Sequence, residues 1–277
     1  MADKRGINIG SVEEGMGKRI VVKVGTSTLT YESGKLNIRR IEMLARVLSD
    51  LQNAGNRIIL VSSGAMGVGV GKLGLRERPH DTPMRQAVAA VGQCELMFIY
   101  DKMFGEYNRM VAQMLLTKDV VDNEVSNRNV TNAIETLLEM DMIPIVNEND
   151  TVATDELVGQ NFGDNDTLSA LVAKIAKADC LVILTDIDGL YDSNPRENPN
   201  AKRIPVVKRV DDSILQIAGG SGSSRGTGGM LTKVQAARIA NDAGIDVYVA
   251  RGDDPEILYR LMDGEQVGTL FCGKKAE

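Results

Sequence analysis

The run at residues 19–27, RIVVKVGTS, constrains this chain more than any other segment: a short block of β-branched residues stops abruptly in Gly-Thr-Ser. β-Branched side chains suit a pleated strand, and a glycine at its end lets a ligand approach the backbone closely. Lys23 sits inside the block, where a buried strand would carry valine or isoleucine. Burying an ammonium costs several kcal/mol unless an anion waits for it. Lys23 is therefore either an edge-strand residue whose charge snorkels into water, or a buried cation placed to meet negative charge at the strand's carboxyl end.

The following sequence alternates short apolar strands with amphipathic helices, the rhythm of βαβ units. Residues 37–54 place Ile38, Ile41, Leu44, Ala45, Leu48 and Leu51 at helical spacing, with Asn37 as N-cap and Gly55 just past the end. Residues 57–61 form a second strand that runs into Ser62-Ser63-Gly64. Further strands are expected over 110–116, 142–146, 181–184 and 246–250, the last strand of the series. Helices are expected over 81–104, 126–140, 211–217, 230–243 and 255–262. The Pro/Asn-rich stretch 194–205 reads as an exposed excursion.

With 277 residues and 43% hydrophobic content, one large domain is expected over 19–271. A flexible lead-in over 1–18 and a short tail over 272–277 flank it. The formal charge of -6 argues against nucleic acid as a partner, because phosphate backbones need a basic face. Cys94, Cys180 and Cys272 fit no zinc spacing and point to a reducing, cytoplasmic location. The sole histidine, His80, follows Arg78-Pro79 in a polar stretch and reads as a surface loop residue, so catalysis through a histidine triad is not expected. The first residues lack a signal peptide's apolar core, and no run approaches the roughly 18 apolar residues of a membrane helix, so a soluble protein with no membrane partner is expected.

Three motif-like stretches are set aside. Gly69-Val70-Gly71-Lys72-Leu73-Gly74 has the G-x-G-x-x-G spacing, but it reads as part of a loop after the second strand rather than the turn leaving the first. Residues 268–275 have Walker A spacing without the final Ser/Thr, and no helix follows. Residues 185–189, Thr-Asp-Ile-Asp-Gly, lack the later ligands of an EF-hand.

Polar clusters at strand ends carry the chemistry. Asn147-Glu148-Asn149-Asp150 closes the strand at 142–146, where open α/β sheets keep their sites, although Asn and Asp also favour turns. Residues 159–163 form a loop, and Asp164-Asn165-Asp166 then opens a helix. Capping needs one of these residues, which leaves the other carboxylate unexplained. The glycine-rich stretch 219–229 precedes the helix at 230–243, with Lys233 in its first turn. A cation there opposes the helix dipole unless an anion is shared, and backbone N–H groups at a helix start bind anions.

These features, taken as VVKVGTS, VSSGAMGVG, AAVGQ, QMLLT, VNENDTVAT, FGDNDTLSALVA, LTDIDGLY and GTGGMLTKVQAA in this order, resemble the amino-acid kinase family, and within it the members that phosphorylate glutamate. The resemblance covers about residues 19–271 and implies a three-layer αβα sandwich around a mostly parallel sheet of about eight strands. It implies ATP-dependent phosphorylation of the γ-carboxylate of L-glutamate to L-glutamyl 5-phosphate, the first step of proline biosynthesis, with Mg²⁺. Lys23 and Lys233 would flank the transferring phosphoryl group, with Asp166 holding both. Ser63, Asp150 and Asn165 would bind glutamate, with Asn147, Asn149 and Asp164 close by. Gly25, Thr185 and Asp186, with Thr227, Gly228, Gly229, Met230, Leu231, Thr232 and Lys233, would hold ATP. Feedback inhibition by proline is implied as well, and a homo-oligomer is the expected assembly. Many relatives continue into an RNA-binding-like PUA domain, whereas this sequence stops at Glu277. The competing readings are a kinase of another small carboxylate, such as acetylglutamate or aspartate, and a non-catalytic amino-acid sensor.

Overall fold

A computed structural model describes residues 17–31, 35–152, 165–195, 197–219 and 229–274. The first strand, β1 (Arg19–Val24), leads through a single turn, α1 (Thr26–Leu29), to α2 (Ile38–Asn53) and β2 (Arg57–Ser62). Then come α3 (Ala65–Leu73), α4 (Thr82–Gly105), β3 (Val111–Leu116), α5 (Asp119–Asp122), α6 (Glu124–Glu139) and β4 (Ile143–Glu148). The second half holds α7 (Asn165–Ile175), β5 (Cys180–Thr185), β6 (Val206–Val207) and α8 (Asp212–Gly219). It closes with α9 (Met230–Asp242), β7 (Asp246–Arg251), α10 (Ile257–Met262) and β8 (Thr269–Phe271).

The strands form an 8-stranded sheet in the order β3-β4-β2-β1-β5-β7-β8-β6. Neighbours are parallel except β7 and β8. β1 lies in the middle, with Lys23 in register between Val61 of β2 and Ile183 of β5, which rules out the edge-strand reading of Lys23. From β1 the chain moves first to one side, into β2, and later to the other, into β5. The carboxyl ends of β1, β2 and β5 therefore surround a topological switch point, where α/β sheets leave a crevice.

Strand alternation sends side chains to two apolar layers. Ile20, Val22 and Val24 face one side with Ile41, Leu44 and Leu48 of α2 and Leu96, Tyr100 and Phe104 of α4. Val21 faces the other with Leu168 and Val172 of α7, Ile134 and Leu138 of α6, and Val234 and Ala237 of α9. By the same alternation Lys23 shares the Val21 side, toward α7 and α9. The protein is thus a three-layer α/β fold with a mostly parallel sheet.

Caps and turns place the helices. Asn37 accepts the Arg40 N–H at 3.2 Å to start α2, and Gly55, with φ of 94°, turns the chain into β2. Asp81 accepts the Met84 N–H at 2.9 Å to start α4. Ile38, the first residue after the cap, is exposed rather than part of the α2 core stripe.

Two expectations need correction. Residues 66–74 are not a loop but helix α3, entered through Gly64 with φ of 102° and ended at Gly74 with φ of 65°. The glycines serve packing: a Cβ on Gly69 would stand 2.0 Å from the Val88 carbonyl oxygen, and one on Gly92 1.8 Å from that of Ala65. Side-chain-free crossing of α3 and α4 accounts for the repeated glycines without any nucleotide. Second, β7 is not the last strand, because β8 follows α10 inside the Walker-like stretch, and β6 is a further two-residue strand. The excursion at 194–205 is exposed over most of its described length, as expected, and is anchored where Tyr191 bridges to Arg203. Strands of two or three residues are too short to show periodicity in sequence. The loop at 159–163 lies outside the described residues, as does most of 219–229.

Candidate active site

Four strand ends build the site: β1 contributes Lys23 and Gly25, β2 leads to Ser63 and Gly64, β4 ends at Asn147 and Glu148, and β5 ends at Thr185 and Asp186. Together with Asp150, Asn165, Lys233, Thr26, Ser27 and Arg78 they line one cavity of about 400 Å³.

Under its floor lies a buried charge cluster. Asp166, at the start of α7, is wholly buried, while Lys23 and Lys233 are 7% and 4% exposed. Lys23 Nζ lies 2.6 Å from Asp166 Oδ1, and Lys233 Nζ donates to Asp166 Oδ2 at 3.1 Å. The Thr232 hydroxyl donates to the same Oδ2 at 2.8 Å. Burial pushes the Asp166 carboxyl up, but the Lys23 and Lys233 ammoniums beside it outweigh burial and hold it below the usual carboxylate range. Two ammoniums thus share the Asp166 carboxylate in a nearly dry place at the cavity. Two ammoniums reaching one cavity suit a ligand bearing negative charge, because an opposite charge offsets the cost of desolvating them.

A second group is polar and uncharged. Asn165 Nδ2 donates to the Ser62 carbonyl at 2.6 Å and to Asn147 Oδ1 at 2.8 Å. Asn147 in turn donates to Gln93 Oε1 at 2.8 Å. Behind them, Ser62 Oγ and the buried Tyr100 hydroxyl are 2.9 Å apart. Burial pushes the Tyr100 phenol up, so it stays a neutral hydrogen-bonding group. Asp150 faces the cavity from the turn after β4; burial pushes its carboxyl above the usual range, with Arg85 pulling the other way.

The expected site residues sort by position. Lys23, Gly25, Ser63, Asn147, Asp150, Asn165, Thr185, Asp186 and Lys233 come together on the cavity, and Asp166 lies beneath it. Asn149 is not on the cavity wall: its Oδ1 accepts from the Thr151 hydroxyl at 2.6 Å, which is turn chemistry, and its N–H donates to the Leu116 carbonyl at the end of β3. Gly229, Met230, Leu231 and Thr232 form the start of α9 beside the cavity rather than its wall. Asp164, Thr227 and Gly228 lie outside the described residues. Arg78, Gln93 and Tyr100 were not anticipated. AAVGQ in the sequence contained the signal for Gln93, a glutamine between apolar positions of a helix.

His80 is exposed in the loop before α4 and does not line the cavity. A second cavity, of about 450 Å³, is lined by Lys208, Arg238, Asp242 and Lys274. It lies at the opposite end of the sheet, where the Gly273 N–H donates to Asp246 at the start of β7.

Comparison with known proteins agrees with this architecture. The Amino acid kinase family model matches residues 18–251. The glutamate 5-kinase of Clostridium perfringens is 57% identical over 94% of this chain and 97% of its own length. The glutamate 5-kinase of Listeria innocua is 55% identical over 94% of this chain and 95% of its own length. Among solved structures, UMP kinase from Bacillus anthracis has the same fold, with a TM-score of 0.62 at 17% identity, covering 94% of this chain and 98% of that one. Since one family match runs unbroken from the lysine-bearing first strand through α7 and α9 to the end of β7, the chain belongs to the amino acid kinase family.

Proposed function

We propose that the cavity is the active site of an ATP-dependent kinase that phosphorylates the γ-carboxylate of L-glutamate, giving L-glutamyl 5-phosphate at the first step of proline biosynthesis. The identity to glutamate 5-kinases over nearly the whole chain supports the reaction. The observation that carries the site is the buried pair of lysines on a single aspartate at the switch point of the sheet.

In this reaction a γ-carboxylate oxygen of glutamate attacks the γ-phosphorus of ATP, the bond from that phosphorus to the bridging oxygen breaks, and ADP leaves with the electron pair. The nucleophile is already ionised near neutral pH, so no side chain has to remove a proton. That accounts for a site built without histidine. Phosphoryl transfer through a loose transition state depends on positioning and charge stabilisation, and Lys23 and Lys233 supply both. Asp166 acts through them, fixing their ammoniums. Ser63, Asp150 and Asn165 bind glutamate, with Asn147 and Asp164 in support. Thr185, Asp186 and the segment 227–233 hold the nucleotide.

Mg²⁺ supplies charge neutralisation on the phosphates. Among the described residues no group of three His, Cys, Asp or Glu side chains could hold a metal ion. That suits an ion carried chiefly by the nucleotide, with Asp186 as a carboxylate on that side of the cavity. Proline, an amino acid without a γ-carboxylate, competes for the glutamate end of the cavity. One domain, 19–271, carries all of this in the cytoplasm; none of its described helices is long and apolar enough to cross a membrane.

Trapping the acyl phosphate with hydroxylamine tests the reaction. Hydroxamate should form only with glutamate and Mg·ATP together; its absence, or equal yields with aspartate or acetylglutamate, overturns the assignment.

The protein assembles as a homo-oligomer through α4. Met84, Ala87, Val91, Cys94 and Phe98 alternate spacings of three and four residues along its outer face, and all five are exposed. This is a heptad seam, and a second copy of the same helix is its natural complement. Light scattering should find at least a dimer for the parent protein and a monomer for Phe98→Glu. A monomeric parent, or an unaltered mass in the variant, would refute this interface.

A further inference from the structure

Helix α4 turns one side toward the cavity, and there it carries Gln93 in a place that allows little movement. Gly92, beside it, brings the α4 backbone against Ala65 of α3, and Gln93 itself is only 8% exposed. Gln93 Oε1 accepts from Asn147 Nδ2 at 2.8 Å. Asn147 Oδ1 accepts from its neighbour's N–H, that of Glu148, at 2.9 Å and from Asn165 Nδ2 at 2.8 Å. The other Asn165 amide hydrogen goes to the Ser62 carbonyl at 2.6 Å. A backbone N–H only donates and a backbone carbonyl only accepts, so the row of three amides has one sense from end to end.

That sense has a chemical consequence. Both Nδ2 hydrogens of Asn165 are spent on the protein, and Asn165 lines the cavity, so Oδ1 is the atom it has for a ligand. Asp150 brings a second acceptor to the same cavity. Two acceptors select a donor such as an ammonium and reject a carboxylate, whereas the reversed amide would do the opposite.

We infer that Gln93 is a positioning residue: the Glu148 N–H and the Ser62 carbonyl give the amide row its sense, and Gln93, by holding Asn147 Nδ2, keeps Asn147 and hence Asn165 seated in it, so that the site selects the α-ammonium of its amino-acid substrate. This rests on the reading of the cavity as the glutamate site. Gln93 makes no contact with substrate. Its effect passes through two amides, those of Asn147 and Asn165.

The test is calorimetric binding of glutamate and of glutarate, the same carbon chain without the ammonium, to the intact protein with Gln93→Leu and Gln93→Glu. Gln93→Leu removes the acceptor at similar size and should weaken glutamate binding about tenfold or more, while glutarate and ATP binding stay within about twofold. Preference for glutamate over glutarate therefore falls by the same factor. Gln93→Glu retains an acceptor and should keep that preference within about threefold. A purely structural role would instead lower the melting temperature and weaken all three ligands together. Unchanged preference in Gln93→Leu, or equal loss in both variants, overturns the inference; Gln93→Met replaces Leu if that variant does not fold. Glutamate binding without turnover in the parent protein would sink the kinase reading alone, and absence of glutamate binding would sink both.

Discussion

Replacing Lys233 by methionine should lower kcat by about 10²–10³-fold, the usual effect of removing one preorganised transition-state donor. Methionine keeps most of the aliphatic volume in a site that is 4% exposed, so the core around Val234 and Ala237 should stay packed. Asp166 keeps its contact with Lys23 at 2.6 Å in this variant, so the acid is not stranded. The loss should appear in kcat rather than in glutamate affinity, because the lysine sits on the α9 side of the cavity and not among the amides near Ser62. Hydroxamate assays at saturating glutamate and ATP, with a thermal melt as control, measure this. A variant that melts like the parent and turns over within about threefold of it would remove Lys233 from the reaction.

Asp166→Asn should have the largest effect on folding. It takes the shared carboxylate away from two buried ammoniums, at Lys23 and Lys233, and breaking a buried ion pair from one side costs about 3–5 kcal/mol. Thr232 also loses an ionised acceptor, although the Asn carbonyl can still accept its hydroxyl. The pH dependence has a definite sign. The folded carboxyl is held below its ordinary value despite burial, because the two lysines outweigh desolvation. Its contribution is therefore complete above the unfolded value of about 3.9 and is lost as pH falls through the lower folded value. Guanidinium denaturation should show the full gap between parent and Asp166→Asn at pH 7, and the gap should close only in acid below about pH 4. A gap under about 1 kcal/mol at pH 7 would mean that the lysines find other partners.

Both experiments concern a group of residues drawn from three places in the chain. Lys23 lies on β1, Asp166 on α7 and Lys233 on α9, and the Asp166–Lys233 contact spans 67 positions. Each was conspicuous by itself: a lysine in a valine block, a surplus carboxylate beside a cap, and a cation in the first turn of a helix where the dipole disfavours it. Locally each breaks a rule of its element, and such conflicts mark functional positions. The motif-like stretches behaved differently. The glycines at 69 and 92 break helix propensity for the sake of close backbone crossing, which no local spacing distinguishes from a nucleotide loop.

By itself, the sequence determined the α/β class, most strands and helices, and the residue types gathered at the strand ends, because periodicity, caps and burial costs act over a few residues. It left Lys23 divided between an edge strand and a buried one, took α3 for a loop, and missed β6 and β8. Only the tertiary structure decided these. Strand order put β1 between β2 and β5 and left Lys23 buried, reaching only the cavity; pairing with longer neighbours stabilised two strands too short to be periodic. It also gave the amides at 93, 147 and 165 one sense. The direction of an amide depends on the donors and acceptors brought to it from other elements, and those are a property of the fold.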